Sequence, residues 1–398
     1  MKKYFSLLIL FVSALFISSC SDDDSPSIPE RSKETVIVFF PFTGNLYNYL
    51  MNNLKDIEQA MLKKENNPNV IVYMNYGKNK DNACIYEIRR EGDVCVHDTL
   101  RVFTENPYLT VDDMSSLFSE LKNVTPEATD YKMIIGCHGM GWIYGDTYSK
   151  VRAMYPKMSF DNFDDPNPIT RWMGNNSTKI DIDDFAQALT RASLHPSLML
   201  FDVCYMSNIE SLYELRNCAD YIVGSSIEIM GKGMPYLEIW DEITAPTTRQ
   251  SLDALCNNAY SFYKAGDQPY CSLAAIDCNK MDDLANVVKE INSKFIFNEE
   301  QRDNLQMLDG YRPSIFYDMG RYVELQCTDA ALLSRYRQAE AECVFSHYHT
   351  AEYYTAISQG AYGTHDIIYS CGVTTSAPSL NEMSLEDWNR TAWYKATH

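Results

Sequence analysis

Histidine is scarce in this chain, positive charge is outnumbered, and no two cysteines are spaced as CxxC. The 398 residues include 7 His, and 34 Lys plus Arg stand against 54 Asp plus Glu, for a formal net charge of −20. That balance excludes nucleic acid as a partner, because neutralising phosphates requires clustered Lys and Arg. It leaves a weak long-range attraction for cationic partners, which salt screens heavily. Without CxxC, and with irregular cysteine spacing, the sequence suggests no metal site. No internal repeat or low-complexity tract stands out.

What is present is ordinary globular composition, 45% apolar and 22% charged, enough for one large core or two medium ones. The N-terminus, MKKYFSLLILFVSALFISSC, has a basic start, an apolar stretch and then small residues. A transmembrane helix is the alternative, but the apolar part is too short and ends in small polar residues. ISSC resembles the lipobox of bacterial lipoproteins. That likeness implies a signal peptide over 1–19, removed on export, with Cys20 lipidated as the new N-terminus. Losing Lys2 and Lys3 takes the charge from −20 to −22. Residues 20–34 then form an acidic, flexible tether. The run SDDD after Cys20 looks like the signal that sends lipoproteins to the outer face in some Gram-negative anaerobes, and a plain solvated linker is the alternative. The expected location is the bacterial outer membrane, on its periplasmic face or at the cell surface. Eleven cysteines remain after Cys20. The number is odd, so at least one thiol stays free unless it pairs between chains.

From residue 35 onward, apolar runs alternate with amphipathic patterns. TVIVFF (35–40), VIVYM (70–74), KMIIGC (132–137), LMLFD (198–202) and DYIVGSS (220–226) read as buried strands. Helical spacing covers 46–62, 112–122, 180–192 and 208–217, with Asp181 placed to cap the third of these. Residues 84–103 read as an antiparallel pair turning at Glu91-Gly92-Asp93. Near-continuous apolar strands alternating with helices predict a three-layer α/β/α sandwich with a mostly parallel central sheet. The core is expected over 35–245. Residues 246–398 complete or flank it, with helices at 251–264, 279–292 and 329–345 and strands at 271–277 and 366–373.

In such sheets ligands gather beyond the carboxyl ends of the strands. His138 stands there, in the Gly-rich turn IIGCHGMGW, where Gly139 and Gly141 let backbone N–H groups approach a substrate oxygen. A turn histidine among structural glycines is the alternative. Cys204 stands just past the strand ending at Asp202. The period of two puts Asp202 and Cys204 on one side and Val203 opposite. A helix expected directly afterwards would favour a thiolate at its N-terminus. A neighbouring His would raise the reactive fraction of a thiol with pKa near ~8.5. A small buried packing residue is the other reading. Cys137 is the rival nucleophile, but adjacent strand residues face opposite sides, so it should face away from His138's partner.

HGMGW, KIDIDDFAQAL, LMLFDVCYMSNIESLYELRNCADYIVGSS and EIMGKGMPY, in that order, resemble the clostripain family of cysteine peptidases, which share a clan with caspases, gingipains and legumains. The likeness is strong over 132–236 and weaker over VIVFFPFTGNLYNYL and the C-terminal end. It implies a caspase/gingipain-like peptidase domain over 35–398, with His138 as general base and acid and Cys204 as nucleophile. The N–H groups of Gly139 and Cys204 would form the oxyanion hole, and Asp202 would draw Lys or Arg into the primary pocket. A strand-end cap or a structural partner for an Arg is the alternative for Asp202. Glu228 is the one candidate for a second pocket acid, while Lys232 in the same loop would oppose a cationic substrate. Self-cleavage is expected within 144–179, which offers Lys150, Arg152, Lys157 and Arg171. No cofactor is implied. Calcium stimulates some relatives, but DNFDDPN (161–167) is too weak to name a site, and no metal ligand is assigned. The chain is expected to be a monomer acting on peptides or proteins. A catalytically silent surface lipoprotein that uses the same scaffold to bind protein or glycan is the rival function.

Overall fold

The first strand, β1 (Glu34–Phe40), shows why the central sheet is covered on both faces. Val36, Val38 and Phe40 enter one apolar cluster, while Ile37 and Phe39 enter another, and all five are fully buried. A strand with no wet face must be apolar at nearly every position. The computed structural model describes residues 32–76, 83–104, 110–147, 149, 180–357 and 361–398. Residues 32–398 form one compact unit. Cys20, the signal segment, nearly all of the tether and most of 144–179 lie outside the described residues.

After β1, helix α1 (Tyr47–Leu62) buries Leu50, Leu54 and Ile57 at helical spacing. Next come β2 (Asn69–Asn75), β3 (Ala83–Glu91), β4 (Val94–Phe103), α2 (Val111–Asn123) and β5 (Asp130–Gly136). The chain continues through α3 (Ile182–Arg191), β6 (Leu198–Asp202), α4 (Ile209–Leu215) and β7 (Tyr221–Ser225), then α5 (Tyr236–Ile243) and α6 (Arg249–Ala265). The C-terminal part begins with β8 (Ser272–Asp277), α7 (Met281–Lys294), β9 (Tyr317–Asp318), α8 (Met319–Gln326), α9 (Ala330–Cys343) and β10 (Val344–His349). Short pieces follow: β11 (Glu352–Thr355), β12 (Gly363–Asp366), β13 (Thr374–Thr375), α10 (Glu382–Asp387) and α11 (Ala392–Thr397).

Nine strands form the central sheet in the order β10-β8-β7-β6-β5-β1-β2-β3-β4. β2, β1, β5, β6 and β7 run parallel, and β3 and β8 are antiparallel to their neighbours. α1, α5 and α6 pack on one face, and α2, α3, α4, α7 and α9 on the other. The three-layer, mostly parallel α/β sandwich expected from the sequence is therefore the fold.

Three local expectations need correction. Asp181 precedes α3 but makes no capping hydrogen bond there; its Oδ1 instead accepts the Gly145 N–H at 2.7 Å. Of residues 366–373, only Asp366 lies in a strand. Pairing ends with β12 and resumes at β13, because the intervening segment is held by side chains: Gln306 Oε1 accepts from Ile368 and Tyr369, and Asp318 Oδ2 from Cys371. Third, α4 starts where its pattern predicts, at Ile209, which leaves it too far from Cys204 to act on the thiol as expected. A turn occupies 203–208, and Asn208 caps the helix by accepting the Ser211 N–H at 3.2 Å. The helix dipole thus acts several residues from the thiol, outside the first turn where its influence is concentrated.

Candidate active site

Strand register brings the site together. β1, β5, β6 and β7 are adjacent and parallel, so the segments following them share one edge of the sheet. Gly136 on β5 pairs with Asp202 on β6. His138 and Cys204 each lie two residues beyond that pair, at matching places on neighbouring loops. Gly139 is pressed against the Cys204 backbone. A Cβ at position 139 would lie 2.1 Å from Val203 Cγ1 and 2.9 Å from the Cys204 carbonyl oxygen. A side chain there would push the two loops apart, so this close approach requires glycine.

Alternation holds through the turn that carries Cys204. Val203 and Cys204 belong to clusters on opposite faces, and Cys137 packs against the Val203 side, away from Cys204. The Cys204 side chain is fully buried, and its Sγ accepts the Ile229 N–H at 3.2 Å. Tyr205, the next residue, has φ of +60°, a left-handed conformation that costs a non-glycine residue about 1 kcal/mol or more. Its surroundings hold it there. Its N–H donates to the Ile227 carbonyl, its hydroxyl donates to Glu228 Oε1 at 2.9 Å, and its ring stacks on Phe316 with centroids 4.7 Å apart.

His138 Nε2 lies 2.6 Å from Asn45 Oδ1, in the turn Gly44–Leu46 that follows β1. In the sequence, Asn45 stands out only as part of a stretch that resembles the family.

Asp202 is fully buried and accepts the Tyr236 hydroxyl at 2.9 Å on Oδ2. Glu228, also buried, accepts from Thr355 Oγ1 at 2.5 Å and the Ala356 N–H at 3.0 Å as well as from Tyr205. It therefore ties the turn that carries Cys204 and Tyr205 to β11. Lys232 points elsewhere: its Nζ sits 3.5 Å from Asp267 and about 5 Å from the centroids of the Phe262 and Tyr263 rings. Among the described residues no group of three or more His, Cys, Asp or Glu could hold a metal ion. The eleven cysteines from Cys84 to Cys371 are all free thiols.

The C-terminal segment braces the loops that carry His138 and Cys204. Buried Glu210 on α4 accepts from Thr375 Oγ1, the Ser376 N–H and Trp388 Nε1 at 2.9–3.0 Å. Ser376 Oγ in turn accepts from Trp142, in the loop after His138. The loop carrying Phe316 is organised by buried Asp309, which accepts from the Tyr311, Ile315 and Phe316 N–H groups and the Ser314 hydroxyl. Burial pushes the Asp309 carboxyl up to about 6, against those four hydrogen bonds, and burial likewise pushes Glu340 on α9 up to about 7. Both folded-state values lie above the ordinary carboxyl range, so the native chain binds more protons than the unfolded chain between about pH 4 and 7. Their contribution to stability is therefore lost as pH rises through that window. Thermal unfolding should show a higher midpoint at pH 5.5 than at pH 8. A midpoint that climbs with pH, or Asp309→Asn and Glu340→Gln variants with an unchanged slope, would contradict this.

Solved structures identify the kind of enzyme this architecture belongs to. A secreted C11 cysteine protease from Bacteroides thetaiotaomicron, iotapain, is 32% identical, with a TM-score of 0.82 over 92% of this chain and 100% of that one. A clostripain from Bacteroides thetaiotaomicron ATCC 29148, in complex with a peptide inhibitor, is 36% identical over 56% of this chain and 97% of its own, with a TM-score of 0.53. An inactive zymogen C11 protease from Parabacteroides distasonis is 22% identical and matches 93% of this chain and 99% of its own at a TM-score of 0.77, a likeness of fold alone. No curated protein matches. Fold and neighbours together define a cysteine-type peptidase with a caspase-like α/β architecture. Within that class, the clostripain family model matches residues 38–382, and the chain belongs to the clostripain family. No helix among the described residues is long and apolar enough to cross a membrane.

Proposed function

We propose that this peptidase is an endopeptidase that cuts after Arg or Lys, using a His138–Cys204 dyad and no cofactor. The register supports it most strongly: Gly136 pairs with Asp202, and His138 and Cys204 each follow by two residues. In this reading His138 takes the Cys204 thiol proton as sulfur attacks the scissile carbonyl carbon. The resulting oxyanion receives N–H groups from Gly139 and Cys204, each such donor contributing about 3–4 kcal/mol to the transition state. Collapse breaks the C–N bond, and the imidazolium returns its proton to the leaving amine. Water then cleaves the thioester with His138 again as base, restoring the thiol.

Asp202 selects the cationic side chain. A buried carboxylate beside the nucleophile attracts a cation strongly, because the surrounding protein screens the pair less than water does. The engagement of Lys232 by Asp267 and two aromatic rings removes the obvious opposing charge. The inhibitor bound to the clostripain from B. thetaiotaomicron has the peptide sequence VLTK, which ends in lysine. Glu228, already committed to Tyr205, Thr355 and Ala356, serves as a brace in this reading and not as a second selector.

Full burial of the Cys204 side chain suits a precursor that matures by cutting itself within 144–179. Lipidation of Cys20, after removal of 1–19, would then leave a monomeric catalytic unit on the acidic tether over 20–34 at the outer membrane. The test is one incubation of purified residues 21–398 with arginyl and leucyl peptide amides, followed by mass spectrometry. Turnover of the arginyl amide, with a cut after a basic residue between 144 and 179 in native chain but not in Cys204→Ala, is the expected result. Both chains staying whole would remove self-cleavage. Absence of turnover would favour the silent binding lipoprotein.

A further inference from the structure

The segments following three neighbouring parallel strands converge: Asn45 after β1, His138 after β5 and Cys204 after β6. Asn45 is fixed by a tight turn. Gly44 has φ of +46°, which an L side chain rarely adopts, and the Leu46 N–H closes the turn onto the Thr43 carbonyl at 2.7 Å. Leu46, the residue after Asn45, is fully buried and leads directly into α1. The Asn45 amide is thereby held over the imidazole, with Oδ1 2.6 Å from His138 Nε2.

An amide oxygen can only accept, so the bonded ring nitrogen must carry a proton. In a neutral imidazole that leaves Nδ1 as the basic nitrogen, and Nδ1 is the buried one of the pair. We propose that Asn45 is a positioning residue that fixes His138 in its Nε2–H tautomer and aims Nδ1 as the proton acceptor for Cys204. This rests on His138 being the base. It adds a third member to the site, one that touches neither substrate nor the reacting sulfur. As the imidazole takes up the thiol proton it becomes a cation, and the Asn45 dipole stabilises that charge where it forms.

The two sides of the bond predict different behaviour for two substitutions. Asn45→Ala removes both orientation and dipole. Partners that orient a metal-bound histidine typically contribute about 10–100-fold, and for this metal-free pair, on a part-exposed histidine, the low end is expected. The fall should be about 10-fold in kcat, with KM unchanged. Asn45→Asp keeps the acceptor and adds a negative charge, which favours the imidazolium. At pH 8 it should recover much of the kcat lost in Asn45→Ala, and it should move the acid limb of the pH–rate profile upward.

The experiment measures kcat, KM and their pH dependence for native chain, Asn45→Ala, Asn45→Asp and His138→Ala. It is joined to 15N NMR of the His138 ring in a Cys204→Ala background. A single Nε2–H tautomer that becomes mixed on adding Asn45→Ala, together with the kcat loss, is the expected result. Native kcat, pH profile and tautomer in Asn45→Ala, alongside an inactive His138→Ala, would overturn the role of Asn45 and leave the dyad intact. Native turnover in His138→Ala would overturn both.

Discussion

Cys204→Ala is expected to hydrolyse arginyl peptide amides about 10⁴- to 10⁶-fold more slowly than native chain, the range seen when a catalytic nucleophile is removed. His138→Ala should fall by a similar factor, and the double variant by little more, because the two groups act on one proton transfer. Cys137→Ala is the control. Cys137 is next to His138 in sequence, yet it packs on the opposite face of the sheet from Cys204, so its loss should leave turnover near native. The fold should survive all three changes. Cys204 and His138 sit in loops past the strand ends, and neither supplies a strand position. Unfolding midpoints near native, measured beside the rates, would separate lost chemistry from lost structure. An inactive Cys137→Ala with an active Cys204→Ala would reverse the assignment.

Asp202→Ala should change selectivity instead. Breaking one partner of a desolvated charge pair costs about 2–5 kcal/mol, or roughly 30- to 4000-fold in kcat/KM, for arginyl and lysyl substrates. Peptides with a neutral residue at the cleaved position should lose far less, so the ratio of arginyl to leucyl kcat/KM would collapse. Asp202→Asn is the sharper variant, since it keeps the shape and a partner for the Tyr236 hydroxyl while removing the charge. If both variants lowered all substrates equally, Asp202 would be a structural acceptor for Tyr236. If neither changed the ratio, the primary specificity would lie elsewhere.

How much of this could be read from the sequence depended on whether the forces were local. β1 and β6 were legible because a strand buried on both faces leaves an apolar run. The opposite facing of Cys137 and Cys204 followed from the period of two alone. Asp181 misled because its position before α3 matches a cap, while its real partner, the Gly145 N–H, is 36 residues away. The segment 366–373 misled in the same way, since DIIYSCGV has strand composition but its N–H groups are taken by Gln306 and Asp318. Nor does any pattern in GNLYNYL announce that Asn45 meets His138, a contact spanning 93 residues. Tyr205 and Phe316 likewise depend on a stack between distant loops. Long-range polar contacts leave no periodic trace, and the details of the site consist mainly of such contacts.

The most direct test of a thiol nucleophile activated by His138 is the pH dependence of iodoacetamide alkylation in active chain, with the modified cysteine mapped by mass spectrometry. Loss of activity should track a single adduct on Cys204, even though Cys95, Cys137 and Cys371 are the more exposed thiols. His138→Ala should slow that alkylation near neutral pH and move its rise toward the range of an ordinary thiol. Inactivation that tracks Cys137, or an alkylated Cys204 in a chain that still turns over, would contradict it.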